Sequence, residues 1–500
     1  MRFRSRMYLC GWLKFSSGTD ENMTHKKDHF AFLERQRGDP DVYPLSIRTS
    51  EFREIYKPFD ADEAAQQAER CLDCGNPYCE WKCPVHNYIP NWLKLAEEGR
   101  ILEAAELCHE TNSLPEVCGR ICPQDRLCEQ ACTLETGFGA VTIGAIERYI
   151  VDEAFKQGWR PDLSRVQTRP WSVGVVGAGP AGLACADVLS RNGISVTVYD
   201  RYPEIGGLLS FGIPDFKLEL KVMRLRREVL EGAGIHFRLN CEIGKDIQAH
   251  ELQSMHDALF FGTGTYTPVQ ADLPGMERGG IVPALDYLIG QTSQMYGLNL
   301  VEFPHINLAD EDVLVLGGGD TAMDCVRTAI RQGAKSVRCV YRRDLQNMPG
   351  SQREVQHAMN EGVQFEFNTQ PCGLVHKNRK LTGLKIARTR LVQPADGGRA
   401  QPSLIDGSED ILPASALIFA FGFRPSPPQW LDGLGVETLE SGLVQMGSGL
   451  TGQTSNPSIF AAGDMVRGSD LVVTAIADAR ESALAIIKHL EISQSQLKRA

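Results

Sequence analysis

The chain has 500 residues, of which 42% are hydrophobic and 23% are charged, and its formal net charge is −11. This length and composition predict a globular protein of roughly three domains. The acidic balance disfavours nucleic acid or an anionic membrane as the main partner. No apolar run approaches the length of about 18 residues that a transmembrane helix needs, so we expect no membrane span.

The first residues of the chain are basic, but they lack the apolar core of a signal peptide. We expect residues 1–24 to be a disordered extension, and Met23 is an alternative to Met1 as the start of translation. The chain has fifteen cysteines, but a secreted disulfide framework is improbable in a long chain that lacks a signal peptide. The cysteines therefore favour metal binding in a reducing compartment, the cytoplasm.

Eight of the cysteines lie in two compact groups. These groups are Cys71-x2-Cys74-x4-Cys79-x3-Cys83-Pro84 and Cys118-x3-Cys122-Pro123-x4-Cys128-x3-Cys132. Closely spaced thiolates in turn-rich segments are typical of iron–sulfur clusters. Zinc is the alternative, although zinc ribbons usually have two well-separated Cys-x2-Cys pairs. Two groups of four predict two clusters, but the last cysteine of one run often serves the other cluster, so a sequential assignment does not follow.

Three segments around the cysteines have helical character. Ala61–Arg70 is typical of a short helix, residues 88–112 carry apolar residues at helical spacing, and Ile143–Phe155 is typical of a longer helix. We therefore expect residues 25–165 to form a helical iron–sulfur domain that ends in a polar linker over residues 156–170.

A dinucleotide-binding unit begins after this linker. Its glycine-rich stretch reads Val173-Gly174-Val175-Val176-Gly177-Ala178-Gly179-Pro180-Ala181-Gly182-Leu183. An apolar run leads into Gly-x-Gly-x-x-Gly, a helical segment follows, and a second strand, Ile194–Tyr199, ends at Asp200. This layout predicts a βαβ unit in which the acid can hold a ribose hydroxyl.

The residues of this stretch have separate roles in such a unit. Gly177 permits the tight turn, Gly179 lets the backbone approach a pyrophosphate, and Gly182 lets helix and strand pack closely. The helix that starts at Pro180-Ala181 offers unpaired N–H groups and the positive end of its dipole to the phosphates.

Two later segments extend this first site. The run Gly206-Gly207-Leu208 would let the backbone pass close to a flat ring or its linker, so we interpret it as part of a flavin site. Near the C-terminus, the strand Ile459–Ala462 ends at Gly463-Asp464, where the carboxylate can accept hydrogen bonds from a ribityl chain. The chain therefore returns to complete the first nucleotide domain, which we assign to FAD.

A second strand, glycine-rich turn and helix occur in the middle of the chain. They read Val313-Leu314-Val315-Leu316-Gly317-Gly318-Gly319-Asp320-Thr321-Ala322, and Ala322 replaces the third glycine, an accepted variant. The next strand, Ser336–Tyr341, ends in Arg342-Arg343 rather than in an acid. Guanidinium groups there suit the 2′-phosphate of NADPH, and the alternative is two solvated surface arginines. We assign to NADPH the residues Gly317, Gly319, Asp320, Thr321, Ala322, Arg342 and Arg343.

The predicted fold class is α/β, with two Rossmann-like dinucleotide-binding domains after the α-helical double iron–sulfur domain. The NADPH domain is inserted into the FAD domain. The predicted boundaries are 166–300 for the first part of the FAD domain, 301–413 for the NADPH domain and 414–500 for the second part of the FAD domain. We predict no catalytic acid or base, since hydride passes directly between stacked rings.

One family carries these motifs together and in this order. The chain resembles the small (beta) subunit of bacterial NADPH-dependent glutamate synthase over about residues 28–490. The resemblance rests on Cys71-Leu-Asp-Cys-Gly-Asn-Pro-Tyr-Cys-Glu-Trp-Lys-Cys-Pro-Val-His, Cys118-Gly-Arg-Ile-Cys-Pro-Gln-Asp-Arg-Leu-Cys-Glu-Gln-Ala-Cys, Gly177-Ala-Gly-Pro-Ala-Gly, Pro203-Glu-Ile-Gly-Gly-Leu-Leu, Gly317-Gly-Gly-Asp-Thr-Ala-Met-Asp-Cys and Ala462-Gly-Asp. The same module is similar to the N-terminal half of dihydropyrimidine dehydrogenase and to subunits of ferredoxin–NADP oxidoreductases.

The resemblance implies an oxidoreductase of glutamate biosynthesis and ammonia assimilation. Electrons would pass from NADPH to FAD, then through two [4Fe–4S] clusters to a separate large (alpha) subunit. That subunit would make glutamate from glutamine and 2-oxoglutarate.

The resemblance to dihydropyrimidine dehydrogenase also implies that the cluster ligands cross over between the two cysteine groups. One cluster would be held by Cys71, Cys74, Cys79 and Cys132, and the other by Cys83, Cys122, Cys128 and Glu147. In dihydropyrimidine dehydrogenase the last of these ligands is a glutamine on the following helix. Glu147 departs from that pattern, and Cys118 is the rival fourth ligand.

Two other functions stay open from the sequence. One is a stand-alone NADPH:ferredoxin or NADPH:acceptor oxidoreductase. The other is a docking protein whose cysteine domain binds zinc and carries no electrons. No Cys-x2-Cys or Cys-x4-Cys pair lies in the nucleotide domains, which argues against a dithiol mechanism of the thioredoxin-reductase kind.

Overall fold

The structure is a computed structural model that describes residues 27–269, 271–298, 300–394, 397–398 and 400–497. The extension predicted over residues 1–24 lies outside the described residues. Within the described part of the chain, none of the helices combines the length and the apolar character that crossing a membrane would require.

The cysteine domain is built from helices and turns. Its helices are α1 Ala31–Glu34, α2 Leu45–Arg48, α3 Ala61–Glu69, α4 Tyr78–Lys82, α5 Ile89–Glu97, α6 Ile101–Thr111, α7 Pro115–Ile121, α8 Glu135–Phe138 and α9 Ile143–Lys156. Asp60 starts α3 through a capping box, because its carboxylate accepts from Glu63 N while the Glu63 carboxylate accepts from Asp60 N. The apolar faces of α3, α5, α6 and α9 share one hydrophobic core.

The remainder of the chain alternates strands and helices. The strands are β1 Ser172–Val176, β2 Ser195–Tyr199, β3 His236–Arg238, β4 Ala258–Phe261, β5 Thr267–Pro268, β6 Ile281–Pro283, β7 Asp312–Leu316, β8 Ser336–Val340, β9 Gln364–Glu366, β10 Thr369–Lys377, β11 Lys380–Val392, β12 Gln401–Leu404, β13 Asp410–Pro413, β14 Ala416–Phe419, β15 Phe423–Arg424 and β16 Ile459–Ala461. The helices are α10 Pro180–Arg191, α11 Leu208–Phe211, α12 Leu220–Gly232, α13 Ala249–Met255, α14 Ala284–Met295, α15 Asp320–Arg331, α16 Gln352–Asn360, α17 Asp464–Arg467 and α18 Val472–Leu497.

The first dinucleotide unit is a parallel sheet with the strand order β16-β4-β1-β2-β3. The helices α10 and α18 pack together against this sheet, and their apolar residues lie in one core with those of β1 and β2. β16 is the last strand in the chain and pairs with β4. The chain therefore returns to the first sheet after completing the second.

The second unit is a parallel sheet with the order β6-β14-β7-β8-β9. The antiparallel strands β10, β11, β12 and β13 form a separate small sheet beside it. The two passages of the chain between the units, β5 and β15, pair with each other.

The sheet membership corrects the predicted boundaries of the second unit. β6 and β14 lie outside the predicted range 301–413, yet both pair within the second sheet. Ala416–Phe419 falls within the range 414–500 predicted for the second part of the FAD domain, but it pairs with β6 and β7 of the second sheet. An apolar run shows that a strand is buried but does not show which of two sheets it joins.

Candidate dinucleotide and cysteine sites

The first glycine-rich loop is closed by contacts that only glycine allows. Gly177 has a φ of +102°, and its N–H donates to Tyr199 O at 2.8 Å. A Cβ placed on Gly182 would lie 1.8 Å from Gly177 O, so helix α10 could not begin where it does with a larger residue. A Cβ on Gly179 would meet nothing within 4 Å. The loop is therefore tight where it touches the sheet and open where a phosphate would lie.

Asp200 lies just after β2, as predicted, but the chain itself engages its carboxylate. Oδ2 accepts from Ala178 N at 2.6 Å, and Oδ1 accepts from Tyr202 N at 2.8 Å. Burial raises the pKa of this carboxyl. Asp200 thus fixes the glycine-rich loop to the end of β2, and its contact with a ribose stays a prediction.

The later segments assigned to the flavin meet this loop. Gly206 N donates to Ala178 O at 2.8 Å, and a Cβ on Gly207 would lie 3.2 Å from Gly179 Cα. A Cβ on Gly463 would lie 3.1 Å from the Ala181 side chain. Three segments far apart in the sequence are therefore in contact at the carboxyl edge of the first sheet, which is where the fold places a dinucleotide. Beside them, burial raises the pKa of Asp464 to about 6.

The second loop repeats this geometry. Gly317 N donates to Val340 O at 3.2 Å, as Gly177 N does to Tyr199 O in the first unit. A Cβ on Gly319 would meet nothing within 4 Å, so this loop is also open at the middle glycine. Ala322 is fully buried in the first turn of α15. Both loops fit the dinucleotide cofactors that the fold implies.

The two arginines after β8 have different surroundings in the structure. Arg342 is exposed and faces the cavity beside the second loop. Arg343 is 7% exposed, and its Nε donates to Ala400 O at 3.1 Å, so it fastens β8 to the segment before β12. Both arginines line this cavity, and Arg342 is the more exposed of the two.

One large cavity, which we call the central cleft, opens between the three domains. It has a volume of about 1000 Å³. The first unit contributes Leu208 and Asp464, and the second contributes the loop 317–321 with Arg342. The cysteine domain contributes residues 122–126. The cleft is large enough for a drug-sized or cofactor-sized ligand.

The cysteines surround two smaller cavities, and they do so as crossed sets. The outer cysteine cavity is lined by Cys71, Cys74, Cys79 and Cys132. The inner cysteine cavity is lined by Cys83, Cys118, Cys122, Cys128 and Glu147. Each group in the sequence therefore gives one cysteine to the cavity of the other group, which is the arrangement implied by the resemblance. Among the described residues, no three His, Cys, Asp or Glu side chains converge as ligands of a single metal ion.

The thiols of the two cysteine cavities lie in buried surroundings that disfavour a free thiolate. Burial raises the pKa of Cys71 to about 11 and the pKa values of Cys79 and Cys83 to about 12. A bound metal cation offsets this cost, because a thiol that coordinates a metal is deprotonated outright. The donor set therefore fits iron–sulfur clusters.

Both candidates for the last ligand line the inner cysteine cavity. The Glu147 carboxylate accepts from Asn87 Nδ2 at 2.9 Å and from Asn112 Nδ2 at 3.4 Å, and both bonds are to Oε1. Burial raises the pKa of Glu147 to about 8. The Cys118 thiol donates to Asn112 Oδ1 at 3.8 Å.

The three cavities adjoin one another in a row. Cys122 and Gln124 line both the central cleft and the inner cysteine cavity. Ile143 lines both the inner and the outer cysteine cavities. Sequence reasoning missed Gln124, which lies between the cysteines of the second group and is recognised only from its place between two cavities.

Buried charges at the domain junctions were also missed. Lys217 Nζ of the first unit lies 2.9 Å from Asp324 Oδ1 of the second unit. Glu361 accepts from Arg327 and Arg331 of its own unit and from Arg48 of the N-terminal segment. These residues are scattered over the sequence, so no local pattern brings them together.

The comparisons with known proteins agree with this arrangement. A family model described as dihydropyrimidine dehydrogenase domain II, 4Fe-4S cluster, matches residues 48–159. A model described as pyridine nucleotide-disulphide oxidoreductase matches residues 171–479. The chain is 57% identical over 467 residues to the glutamate synthase (NADPH) small chain of Escherichia coli (strain K12), which covers 93% of this chain and 99% of that protein. The chain belongs to the glutamate synthase (NADPH) small chain family.

Two further similarities, one to a longer protein and one to a solved structure, add to this comparison. The chain is 53% identical over 461 residues to the putative oxidoreductase AegA of E. coli (strain K12), covering 91% of this chain and 70% of that protein. The structure of Mycobacterium tuberculosis FprA in complex with NADPH aligns with a TM-score of 0.56 at 19% identity, over 66% of this chain and 86% of that one. The second similarity concerns the fold alone.

The family and the fold class predicted from the sequence are thus confirmed. The chain is an NADPH-dependent oxidoreductase with an iron–sulfur domain and a flavin- and NADPH-binding fold.

Proposed function

We propose that the chain is the electron-input subunit of a glutamate synthase. It oxidises NADPH and delivers the electrons through two [4Fe–4S] clusters to a large (alpha) subunit, which makes glutamate from glutamine and 2-oxoglutarate. When bound, FAD accepts a hydride and the clusters carry single electrons. The observation that carries the proposal is the row of adjoining cavities from the central cleft to the surface of the cysteine domain.

In this proposal the chain holds and orients its two dinucleotides with the backbone of the glycine-rich loops and with a few polar side chains. The first unit binds FAD with Gly177, Gly179, Pro180, Ala181, Gly182, Asp200, Gly206, Gly207, Leu208, Gly463 and Asp464. The second binds NADPH with Gly317, Gly319, Asp320, Thr321, Ala322 and Arg342. The open Cβ positions at Gly179 and Gly319 support close approach of a pyrophosphate at both loops.

The crossed cysteine sets support two clusters. Cys71, Cys74, Cys79 and Cys132 would hold the outer cluster, and Cys83, Cys122, Cys128 and Glu147 the inner one. Both amide hydrogen bonds to Glu147 fall on Oε1, so Oε2 remains for a metal bond. Iron counts of Glu147→Ala and Cys118→Ala decide between the two candidates, since only loss of the true ligand lowers the iron content.

The outer cavity is placed for a protein partner. Tyr78, which lines it, is 53% exposed, and Trp81 is 56% exposed and packs edge-on against Tyr78 at 5.5 Å between ring centroids. Exposed aromatic side chains are frequent anchors of protein interfaces. The electrons would therefore leave toward the large subunit at this end of the row.

All fourteen cysteines among the described residues are free, which supports a reducing compartment such as the cytoplasm.

Serine substitutions in the two cavities test the route. We expect Cys74→Ser and Cys128→Ser each to lower the iron content, while NADPH still bleaches the flavin absorbance in both. Transfer to the large subunit should be lost in both variants, because each interrupts the row. Cys108→Ala, on α6 and outside both cavities, is the matched control and should keep iron and transfer. Full transfer in Cys74→Ser would exclude the route, and zinc in place of iron in the wild type would favour the docking protein.

A stand-alone NADPH:acceptor oxidoreductase is the second candidate. It is favoured by the 53% identity to the putative oxidoreductase AegA, which shows that this module also occurs in longer proteins with another name. Rapid NADPH oxidation with a dye or ferredoxin that ignores the large subunit would support it.

A further inference from the structure

The cysteine domain reaches into the second dinucleotide unit through one loop. This loop, residues 122–128, begins and ends with cysteines of the inner cavity, and its middle residues, Asp125 and Arg126, line the central cleft. The contact partner is the glycine-rich loop of the second unit together with residues 349–351.

Arg126 is the cation of this contact. Its Nη1 donates to Pro349 O at 2.6 Å, and its Nη2 lies 3.4 Å from Asp320 Oδ2. Its Nε is buried and finds no hydrogen-bond partner among the residues that the structure describes. The pair with Asp320 is long and partly exposed, at 40% and 43% of the two side chains, so it uses little of the donor capacity of the guanidinium.

Asp320 places a carboxylate at this position, where Ser351 N donates to its Oδ1 at 2.9 Å. It is the first residue of α15, where the fold directs a pyrophosphate to the free N–H groups. An acid beside that position repels the phosphates, although the helix dipole attracts them. Arg126 is placed against Asp320 in the lining of the central cleft, so its charge can offset this repulsion.

We propose that Arg126 of the cysteine domain binds the pyrophosphate of the nicotinamide dinucleotide, so that the NADPH site is shared between two domains. The inference rests on the proposed function and deepens it. Arg342 lies at the end of β8, where the fold places the 2′-phosphate of NADP. The two arginines therefore have different roles: Arg126 strengthens binding of NADP and NAD alike, whereas Arg342 discriminates between them.

Binding of oxidised dinucleotides to the flavin- and iron-loaded chain tests this directly, because NADP⁺ and NAD⁺ do not reduce the flavin. We would measure both dissociation constants by titration calorimetry for the wild type, Arg126→Ala and Arg126→Gln. Loss of one charge-assisted phosphate contact should weaken both ligands by about tenfold or more. Arg342→Ala should weaken NADP⁺ by a similar factor and leave NAD⁺ nearly unchanged.

Asp125→Ala is the matched control. Asp125 is the neighbour of Arg126 and accepts from Ser351 Oγ at 3.3 Å, so it makes the same kind of contact between the domains with the opposite charge. If Arg126 acts only by holding the two domains together, Asp125→Ala should also weaken dinucleotide binding. The proposal expects binding in Asp125→Ala to be equal or tighter. The flavin and iron contents of each variant show whether it is folded. If Arg126→Ala loses iron, Arg126→Gln replaces it in the test, because glutamine keeps most of the side-chain bulk.

The outcomes separate the inference from the proposed function. Unchanged affinity for both ligands in Arg126→Gln overturns the inference, and so does a loss confined to NADP⁺. In either case NADPH-driven transfer by the wild type would stand. A wild type that binds neither dinucleotide would remove the proposed function and the inference with it.

Discussion

The two dinucleotide units share a loop, a helix and a parallel sheet, but they are joined to the cysteine domain by different forces. The first unit shares its hydrophobic core with that domain, since Val85, Leu114 and Val117 pack among its residues. The same junction also holds the buried pair of Arg226 with Glu116, whereas the second unit contacts the cysteine domain through polar groups such as Arg48 with Glu361 and Arg126 with Asp320. The central cleft lies along this polar side.

The units also differ in how they use the residue after their second strand. Asp200 faces inward and holds the first glycine-rich loop with two backbone hydrogen bonds. Arg342 stays exposed beside the second loop. This difference fits the proposal that the first unit retains FAD, whereas the second admits NADPH from the central cleft.

Substitutions at the third position of the two glycine-rich motifs should differ most in their effect on cofactor binding. Gly182→Ala places a Cβ 1.8 Å from Gly177 O, so the loop or α10 must move. We expect purified Gly182→Ala to lack flavin, measured as the ratio of flavin to protein. Ala322→Gly, at the matching position, should keep NADP⁺ binding and cost about 1 kcal/mol of helix stability. Equal flavin content in wild type and Gly182→Ala would break the comparison.

The polar junction of the second unit should be the acid-sensitive one. Burial raises the pKa of Glu361, but hydrogen bonds from Arg327 and Arg331 outweigh it and hold that pKa at about 2. Because this is below the value of 4.5 for an ordinary glutamate, the stabilisation is complete above about pH 4.5 and is lost as the pH falls toward 2.

Glu361→Gln tests that junction. Breaking a buried ion pair leaves uncompensated charges, so denaturant unfolding at pH 7 should show a loss of about 3–5 kcal/mol. The loss should shrink as the pH falls below 4.5. Glu103→Gln is the control, because its pair with Arg100 is half exposed and should be worth less than about 1 kcal/mol. Equal losses in the two variants would contradict the account.

Asp200→Ala should lower the stability of the first unit by an amount between the effects of Glu361→Gln and of the arginine variants. Two buried backbone donors, Ala178 N and Tyr202 N, lose their acceptor, which costs about 1–3 kcal/mol each when a group is left unsatisfied. We expect a lower melting temperature and easier flavin loss on dilution, followed by flavin fluorescence. Unaltered flavin retention would mean that the carboxylate is not what fixes the loop.

The arginines of the second unit should give the smallest effects, and different ones. Arg342→Ala should lower the preference for NADPH over NADH by about tenfold in kcat/KM, which is about 1.4 kcal/mol. Arg343→Ala should leave the preference unaltered and lower stability by about 1 kcal/mol, because it loses the bond to Ala400 O. A changed preference in Arg343→Ala would show that the structure divides the pair wrongly.

The elements of this fold that follow local rules could be predicted from the sequence. Both glycine-rich loops, the strand that ends at Asp200 and the helix after Asp60 occur where their turn and capping residues indicate. The crossed cysteine sets came from family resemblance, and the spacing alone left them open.

What the sequence did not predict depends on contacts between distant segments. β14 is as apolar as a strand of either sheet, and only its pairing with β7 assigns it to the second unit. Arg343 looks equivalent to Arg342 until Ala400 accepts its hydrogen bond. No local pattern gives Arg126, inside the second cysteine group, or Lys217 a role, because their carboxylate partners lie 194 and 107 positions away along the chain.

Electron delivery to the large subunit is the central claim, and anaerobic NADPH oxidation measures it most directly. The chain would be assayed with and without the large subunit, while glutamine and 2-oxoglutarate are added singly and together. We expect sustained oxidation only with the large subunit and both substrates, with glutamate as the product. Oxidation that proceeds at the same rate without the large subunit, with a dye or ferredoxin as the sole acceptor, would contradict the claim.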